Sequence, residues 1–232
     1  MKTKAELVEL LKRDVQAFNA YRQQLIDEKI YGLDLSHVDL RHLDLRHLDL
    51  RHLDLSSANL KDVNLEDANL YYVNLSYSNL CYSNLSGTNL EDANLSSTKL
   101  NYANLNGANL SNVDLNHVDL CGANLSNADL SRANLSSASL WYTKLRNANL
   151  SHANLENSDL SFANLENSDL SNVNLRDTNL EDANLSYAKL DQEFIQVVGL
   201  GSQKRMTTYL FEDDIIFCGC FKGSLKEFKK RV

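Results

Sequence analysis

The sequence predicts an all-β solenoid, a rod of stacked coils that are built from very short strands. Leucine occupies every fifth position from Leu35 to Leu190 without exception, which makes 32 consecutive repeats of five residues. The position two residues before each leucine is small or apolar in most repeats, with 14 alanines and 6 valines, and the other three positions are mostly polar. The chain contains no proline, so its amides can donate hydrogen bonds between stacked coils.

A five-residue period fits neither the 3.6-residue turn of a helix nor the alternation of a long strand. The two apolar positions, spaced by two, indicate a short strand, and the polar remainder must turn the chain. Asn or Asp precedes 28 of the leucines. These residues suit turns because they tolerate left-handed backbone angles and bond to nearby amides through their side chains. We therefore expect coils with polar corners that stack as a solenoid.

Units such as Ala-Asn-Leu-Ser-Ser at 133–137 and Ala-Asn-Leu-Glu-Asn at 153–157 resemble the repeats of the pentapeptide repeat family, and the resemblance covers residues 33–190. It implies a right-handed, quadrilateral β-helix with four repeats in each coil, and so about eight coils. At ~4.8 Å per layer the rod would be roughly 38 Å long. Hydroxyl residues interrupt the column of small side chains, and their hydroxyls should bond to the backbone wherever they are buried. The residues concerned are Ser78, Ser83, Thr88 and Thr98.

Three regions are expected: an N-terminal capping helix at 1–30, the β-helix at 31–190 and a small C-terminal α+β domain at 191–232. One helix over 3–29 would begin at Thr3 and Glu6, which have the spacing of a capping box. Its apolar residues recur at helical intervals, and the open end of the first coil would cover them. They are Leu7, Leu11, Val15, Phe18, Tyr21 and Leu25. Capping is the primary role expected of this helix, and docking of a partner the second.

The five-residue rhythm stops after Leu190. The composition there predicts strands at 194–198, 207–211 and 215–221, with a turn at 212–214, and Ser224 with Glu227 would open a helix that ends at Arg231. Such a short segment is too small for an independent core, so we expect it to pack on the last coil. It could also carry the specific function of the protein.

The formal net charge of −8 is concentrated in the repeats, where 20 acidic residues face 10 basic ones over 31–190. This balance argues against direct binding of nucleic acid. The sequence has no apolar run of membrane-spanning length and no secretory signal pattern, so we expect a cytoplasmic protein without a membrane partner. Cys81 and Cys121 would lie two coils apart, beyond the reach of a disulfide. Cys218 and Cys220 flank a single glycine, and all four cysteines are expected to be reduced thiols.

The first candidate site is an outward-facing aromatic ladder, because residues 20 positions apart share one side of the rod. It consists of Tyr82, Tyr102, Tyr142 and Phe162 in register, with Trp141 beside them, and Gly122 interrupts it. Exposed apolar patches often mark interaction sites. Stacked rings would equally stabilise the rod itself. The sequence leaves both readings open.

The Arg-His pairs at 41–42, 46–47 and 51–52, preceded by His37, invite a metal hypothesis. Each pair falls on a different side of the rod, whereas zinc ligands must converge on one ion at about 2.0–2.1 Å. A solvated charge ring with the intervening aspartates is therefore expected, and a pH-sensitive contact remains an alternative. We predict neither a metal nor a cofactor.

A second candidate site follows from the acidic residues Glu66, Asp67, Glu91 and Asp92. Some members of the pentapeptide repeat family mimic DNA and bind type II topoisomerases, protecting them from quinolones, and such a role is the alternative reading. A net −10 over ~38 Å is about one charge per 4 Å, compared with ~1.7 Å for duplex DNA. Since no loop interrupts the repeats, this mimicry is the weaker prediction. A homodimer, which such members typically form, is left open.

No triad of nucleophile, base and orienting acid and no glycine-rich phosphate loop is present. We therefore predict a non-enzymatic scaffold that binds a partner protein, not identified by any motif, through a flat side of the rod or through the C-terminal region.

Overall fold

The computed structural model describes residues 1–190 and three strands at 208–210, 215–218 and 221–224. From Asp34 onwards each residue before a repeat leucine forms a parallel bridge with the residue 20 positions later, up to Asn164 with Asn184. Strands β1 (Asp169–Leu170) and β2 (Lys189–Leu190) pair in the same register. One coil therefore contains four repeats, as predicted, and the repeat leucines form a continuous buried core from Leu35 to Leu180.

The unit at 65–69 shows how a repeat inside the rod satisfies its backbone amides. The amides of Leu65, Asp67 and Asn69 donate to carbonyl oxygens of the neighbouring coils at 2.7–3.0 Å. The amide of Ala68 donates to the Leu65 carbonyl within the turn, and that of Glu66 donates to Oδ1 of Asn64 at 3.2 Å. All five amides have acceptors, which explains both the Asn or Asp before each leucine and the absence of proline.

The left-handed residue of each turn is the second one after the leucine. From His37 to Tyr187, every residue at this position has φ between 53° and 67°. Asn and Asp residues such as Asn112 and Asp67 are left-handed at this position, as these residue types tolerate, whereas the Asn and Asp residues before the leucines are not. Their other predicted role is confirmed, because their side chains accept hydrogen bonds from the amides two residues later.

Three of the four hydroxyl residues named from the sequence bond to the backbone as predicted. Ser83 Oγ donates to the Leu80 carbonyl at 2.6 Å, Thr88 Oγ1 to Leu85 at 2.7 Å and Thr98 Oγ1 to Leu75 at 2.8 Å. Ser78 is the exception: its buried hydroxyl has no partner among the described residues. The same bonding recurs further along the rod at Thr143, Ser158, Ser168 and Thr178.

The N-terminal region forms two helices instead of the single helix predicted over 3–29. Helix α1 spans Lys4–Arg13 and helix α2 spans Val15–Asp27. The capping box of Thr3 and Glu6 is confirmed. Asp14 breaks the helix because its extended backbone (φ −154°) ends α1, while its side chain accepts the Ala17 amide as the N-cap of α2.

The helix pair caps the first coil, as predicted for the apolar stripe. Leu7, Leu11, Phe18 and Leu25 are buried in the same core as the repeat leucines, with Val15 and Tyr21 packed against it. Polar side chains also reach groups at the end of the coil. Lys4 Nζ donates to the Ser36 carbonyl at 3.1 Å, Asn19 Oδ1 accepts the Asp49 amide at 3.0 Å and Arg22 bonds to two carbonyls. The cap thus occupies part of an otherwise unpaired sheet edge.

The described part of the C-terminal region is a three-stranded antiparallel sheet. It contains β3 (Thr208–Leu210), β4 (Ile215–Cys218) and β5 (Phe221–Ser224) in the order β3-β4-β5. The strand predicted at 215–221 is confirmed only over 215–218, because Phe221 belongs to the next strand and pairs with Cys218. Ser224 ends a strand, and the strand predicted at 194–198 and the rest of the helix predicted to end at Arg231 lie outside the described residues. Neither α1 nor α2 is long and apolar enough to cross a membrane.

Candidate functional site

The aromatic ladder consists of two stacked pairs of rings on one side of the β-helix. The rings of Tyr82 and Tyr102 are 5.3 Å apart between centroids and inclined by 11°, and those of Tyr142 and Phe162 are 5.0 Å apart and inclined by 5°. Their left-handed turn positions, 20 residues apart, hold successive rings one layer from each other. Lys61 Nζ lies 5.6 Å from the Tyr82 ring, a cation–π contact at one end of the ladder.

Trp141 joins the second pair through edge contacts. Its ring lies 4.2 Å from that of Tyr142, at 78°, and 6.4 Å from that of Phe162, at 79°. The five aromatic residues remain 39–56% exposed despite these contacts. The ladder is therefore ordered by its own packing and still offers aromatic surface to solvent.

Gly122 separates the two pairs, and the Tyr102 ring leans over it. A Cβ atom at Gly122 would lie 2.6 Å from Cε1 of Tyr102, closer than real Cβ contacts allow. Gly107, which has nearly the same φ, has open space around its missing side chain. The ladder is thus interrupted at the point where the Tyr102 ring lies close to the backbone of the next coil.

The structure contains a second aromatic cluster, which was not predicted from the sequence. We call it the Tyr71 cluster: Tyr31, His52, Tyr71 and Tyr72. The His52 ring lies 5.5–5.6 Å from each of the other three, and Tyr71 and Tyr72 are 5.9 Å apart. The spacing of 20 between His52 and Tyr72 could have revealed part of it, but Tyr31 precedes the first repeat and has no register.

The four acidic candidates do not converge on one site. Glu66 and Asp67 occupy one side of the rod, and Glu91 with Asp92 occupies the adjacent side, where it lies near the Tyr71 cluster. Asp67 Oδ2 is 3.9 Å from His47 Nδ1. DNA mimicry therefore stays a prediction from the sequence.

The arginines of the first coil pair with the aspartates two residues before them. Arg41, Arg46 and Arg51 contact Asp39, Asp44 and Asp49 at 2.6–2.7 Å. The hydrogen bond from Arg41 lowers the pKa of Asp39 from 3.8 to about 2. His42 Nδ1 lies 3.6 Å from Asp62 Oδ2 on the next coil. Within the described residues no group of three or more His, Cys, Asp or Glu side chains is arranged to hold a metal ion.

Cys81 and Cys121 are half-buried free thiols beside the aromatic ladder. Burial raises the pKa of both thiols, which disfavours the nucleophilic thiolate. The Cys81 thiol donates a weak hydrogen bond to Asn101 Oδ1 at 3.4 Å. The two C-terminal cysteines have no described side chains.

Comparison with known proteins places the repeats in one family. The model of "Pentapeptide repeats" matches eight copies, in overlapping segments that run from 34–71 to 158–192. No curated protein matches the sequence significantly.

Several solved structures are similar to the chain. A pentapeptide repeat protein from the thylakoid lumen of Arabidopsis thaliana is 36% identical over 40% of this chain and 66% of that protein, with a TM-score of 0.40. HetL from the cyanobacterium Nostoc, involved in regulating heterocyst differentiation, is 30% identical over 72% of this chain and 92% of its own, with a TM-score of 0.30. QnrB1, a plasmid-mediated fluoroquinolone resistance protein, is 19% identical over 69% and 92%, with a TM-score of 0.36.

Proposed function

Because the chain belongs to the pentapeptide repeat family, whose model matches residues from 34 to 192, we propose that it is a non-enzymatic scaffold that binds a partner protein through the aromatic ladder. The observation that carries this proposal is the pair of stacked ring systems, each held in place by the coil and each about half exposed.

The chemistry of the ladder suits protein binding. Tyrosine and tryptophan are enriched among the residues that dominate binding energy, because they bury a large area and have few torsions to immobilise. The stacked rings have already lost most of that freedom. A partner that covers them would bury apolar surface at a small additional cost in entropy.

The competing explanation is that the ladder serves only the rod. An aromatic pair contributes about 0.5–1.5 kcal/mol beyond the area that it buries. Tyr102→Ala with Tyr142→Ala removes one ring from each pair, so we expect the double variant to lose about 1–3 kcal/mol of stability and to remain folded. Stability alone therefore does not distinguish binding from packing.

The experiment is a quantitative capture from an extract of the producing cells, with immobilised wild-type protein and two double variants. The first is Tyr102→Ala/Tyr142→Ala. The matched control is Tyr77→Ala/Tyr187→Ala. It also removes two exposed tyrosines, whose exposed fractions are 70% and 84%, but these lie on other sides of the rod.

The proposal requires proteins that bind the wild type and the control and are lost from the ladder variant. Each retained protein is then purified and titrated directly against all three forms. An identical set of proteins on all three would contradict the proposal, and the ladder would then be a structural element of the rod.

A further inference from the structure

The Tyr71 cluster lies on a different side of the rod from the aromatic ladder and stands next to two carboxylates, those of Glu91 and Asp92. Tyr31 and Tyr72 are 46% and 59% exposed, so the cluster presents ring surface to solvent. Glu91 and Asp92 are placed one coil after Tyr71 and Tyr72. The Tyr72 amide donates to the Glu91 carbonyl at 3.1 Å, so the two carboxylates lie one coil from the rings. Burial of the ring, then the charge of Asp92 and a hydrogen bond to it, and then the charge of Glu91 raise the pKa of the Tyr71 hydroxyl.

A buried side chain of the N-terminal cap fixes the backbone beneath this cluster. Arg22 is fully buried, and its Nη1 donates to the Tyr31 carbonyl at 3.1 Å while its Nη2 donates to the Arg51 carbonyl at 2.8 Å. One guanidinium therefore fixes the backbone of Tyr31 and of the residue before His52. The relative position of the rings is set by the junction of the cap with the first coil.

In the part of the chain that the structure describes, neither Glu91 nor Asp92 has a cationic side chain within 4.0 Å. The nearest arginines in sequence register are each two coils away: Arg51, which is held by Asp49 at 2.6 Å, and Arg132. The surface thus offers ring faces and two carboxylates that no described cation contacts.

We propose that the Tyr71 cluster, with Glu91 and Asp92, is a docking site for an arginine side chain of a partner protein. A guanidinium is planar, so it can lie on the exposed face of Tyr72 while its N–H groups donate to the carboxylates. A carboxylate accepts both N–H groups of one edge of a guanidinium, which a compact ammonium cannot match. The site rests on the general proposal that the rod binds proteins, and it is independent of the aromatic ladder.

The test is a titration of the full chain with a peptide in which arginine alternates with glycine. Binding is monitored by NMR, through the chemical shifts of the protein amides and aromatic rings. The comparison peptide carries citrulline in place of arginine, which keeps the shape and removes the charge. We expect saturable shifts at His52, Tyr71 and Tyr72 with the arginine peptide and none with the citrulline peptide.

Two variants test the two parts of the site. Tyr72→Ala removes the exposed ring, and Glu91→Gln/Asp92→Asn removes the charges without changing the shape. Tyr72→Ala should weaken binding about two- to fivefold, because it removes a cation–π contact at an exposed site. Glu91→Gln/Asp92→Asn should weaken binding by a similar factor, because it removes the exposed carboxylate pairs and keeps the ring.

The matched controls are Glu181→Gln/Asp182→Asn, an acidic doublet of the same charge on the opposite side of the rod, one coil after Phe162, and Tyr77→Ala, an exposed tyrosine on another side. Both should bind like the wild type, and so should Tyr102→Ala/Tyr142→Ala. Failure of the ladder proposal would therefore leave this result intact.

Equal weakening by the two acidic variants would show general attraction to an acidic protein and would overturn the proposal. Binding that survives Tyr72→Ala unchanged, binding of the citrulline peptide with equal strength, or no shifts at millimolar peptide would overturn it as well. Thermal unfolding of every variant shows whether the rod is intact.

Discussion

The ring of Tyr102 rests on the backbone of Gly122, one coil further along the rod. A Cβ atom at Gly122 would come within 2.6 Å of Tyr102 Cε1 and 2.7 Å of Cδ1. Since the atoms concerned belong to a rigid ring stacked on Tyr82, the ring can only give way as a unit. The glycine therefore determines how the first pair of the ladder is placed.

Gly122→Ala should disturb this pair, and Gly107→Ala is the matched control. Both glycines have φ of +66° to +67°, so both substitutions incur the same left-handed strain of about 1–2 kcal/mol. Only Gly122→Ala also meets the Tyr102 ring. We expect it to lower the free energy of unfolding, measured with urea, by more than Gly107→Ala does. It should also change the ring-current shifts of Tyr82. Equal losses in the two variants would mean that the ring moves away freely.

Ser78 and Ser83 occupy equivalent positions in successive repeats, are equally buried at 1% exposure, and differ in one hydrogen bond. Ser83 Oγ donates to the Leu80 carbonyl, whereas no group in the described part of the chain pairs with Ser78 Oγ. An unpaired buried hydroxyl costs about 1–3 kcal/mol, and a paired one contributes about 1 kcal/mol. We expect Ser78→Ala to raise the free energy of unfolding and Ser83→Ala to lower it. A loss of similar size in both variants would show that the Ser78 hydroxyl is satisfied in solution.

Much of the fold could be predicted from the sequence, because the period of five by itself indicates a leucine core and polar corners. The coil of 20 residues, and with it the membership of the ladder, was implied by the resemblance to the pentapeptide repeat family. The sequence did not predict which position of the repeat has a left-handed backbone. Asn favours a turn for two reasons, its tolerance of positive φ and its side-chain acceptor, and the repeat uses only the second at the position before leucine.

Contacts that join two regions of the chain also could not be predicted from the sequence. Tyr31 lies before the first repeat, so no spacing connects it with His52. The close approach of Tyr102 to Gly122 depends on the tilt of a ring, which register does not determine. The break at Asp14 interrupts an otherwise continuous apolar stripe, and periodicity alone does not detect a residue that ends one helix and begins the next.

The ion pair of Arg41 with Asp39 makes the first coil sensitive to acid. Because the pKa of Asp39 is lowered to about 2, mainly by the hydrogen bond from Arg41, its contribution to stability is fully present above about pH 4. It is lost as the pH falls through about 2. Arg41→Gln should raise the pKa of Asp39 towards 3.8, measured by the chemical shift of its carboxyl carbon. Arg146→Gln, which breaks a pair with Glu166 instead, should leave Asp39 unchanged. An Asp39 that already titrates near pH 4 in the wild type would refute the pairing.

The last prediction concerns Arg22, the buried residue that joins the cap to the first coil. Arg22→Met keeps a long apolar side chain but leaves the carbonyls of Tyr31 and Arg51 without their donors. The substitution also removes the unpaired Nε atom and the cost of burying a charge, which offsets part of the loss. We expect a net loss of about 2–3 kcal/mol, because hydrogen bonds to charged donors contribute about 1.5–3 kcal/mol each.

Lys4→Met is the control for Arg22→Met. It breaks the pair with Asp34 at 2.8 Å and the hydrogen bonds from Lys4 to the Ser36 carbonyl and hydroxyl, but these lie at the surface, where an ion pair contributes about 0–1 kcal/mol. Hydrogen exchange of the α2 amides should accelerate strongly in Arg22→Met and little in Lys4→Met, because only the former loses an anchor inside the core. If α2 keeps its protection in Arg22→Met, then Phe18 and Leu25 hold the cap by apolar packing alone. The shifts of Tyr31 and His52 should change with α2, since the same guanidinium fixes the backbone beneath both rings.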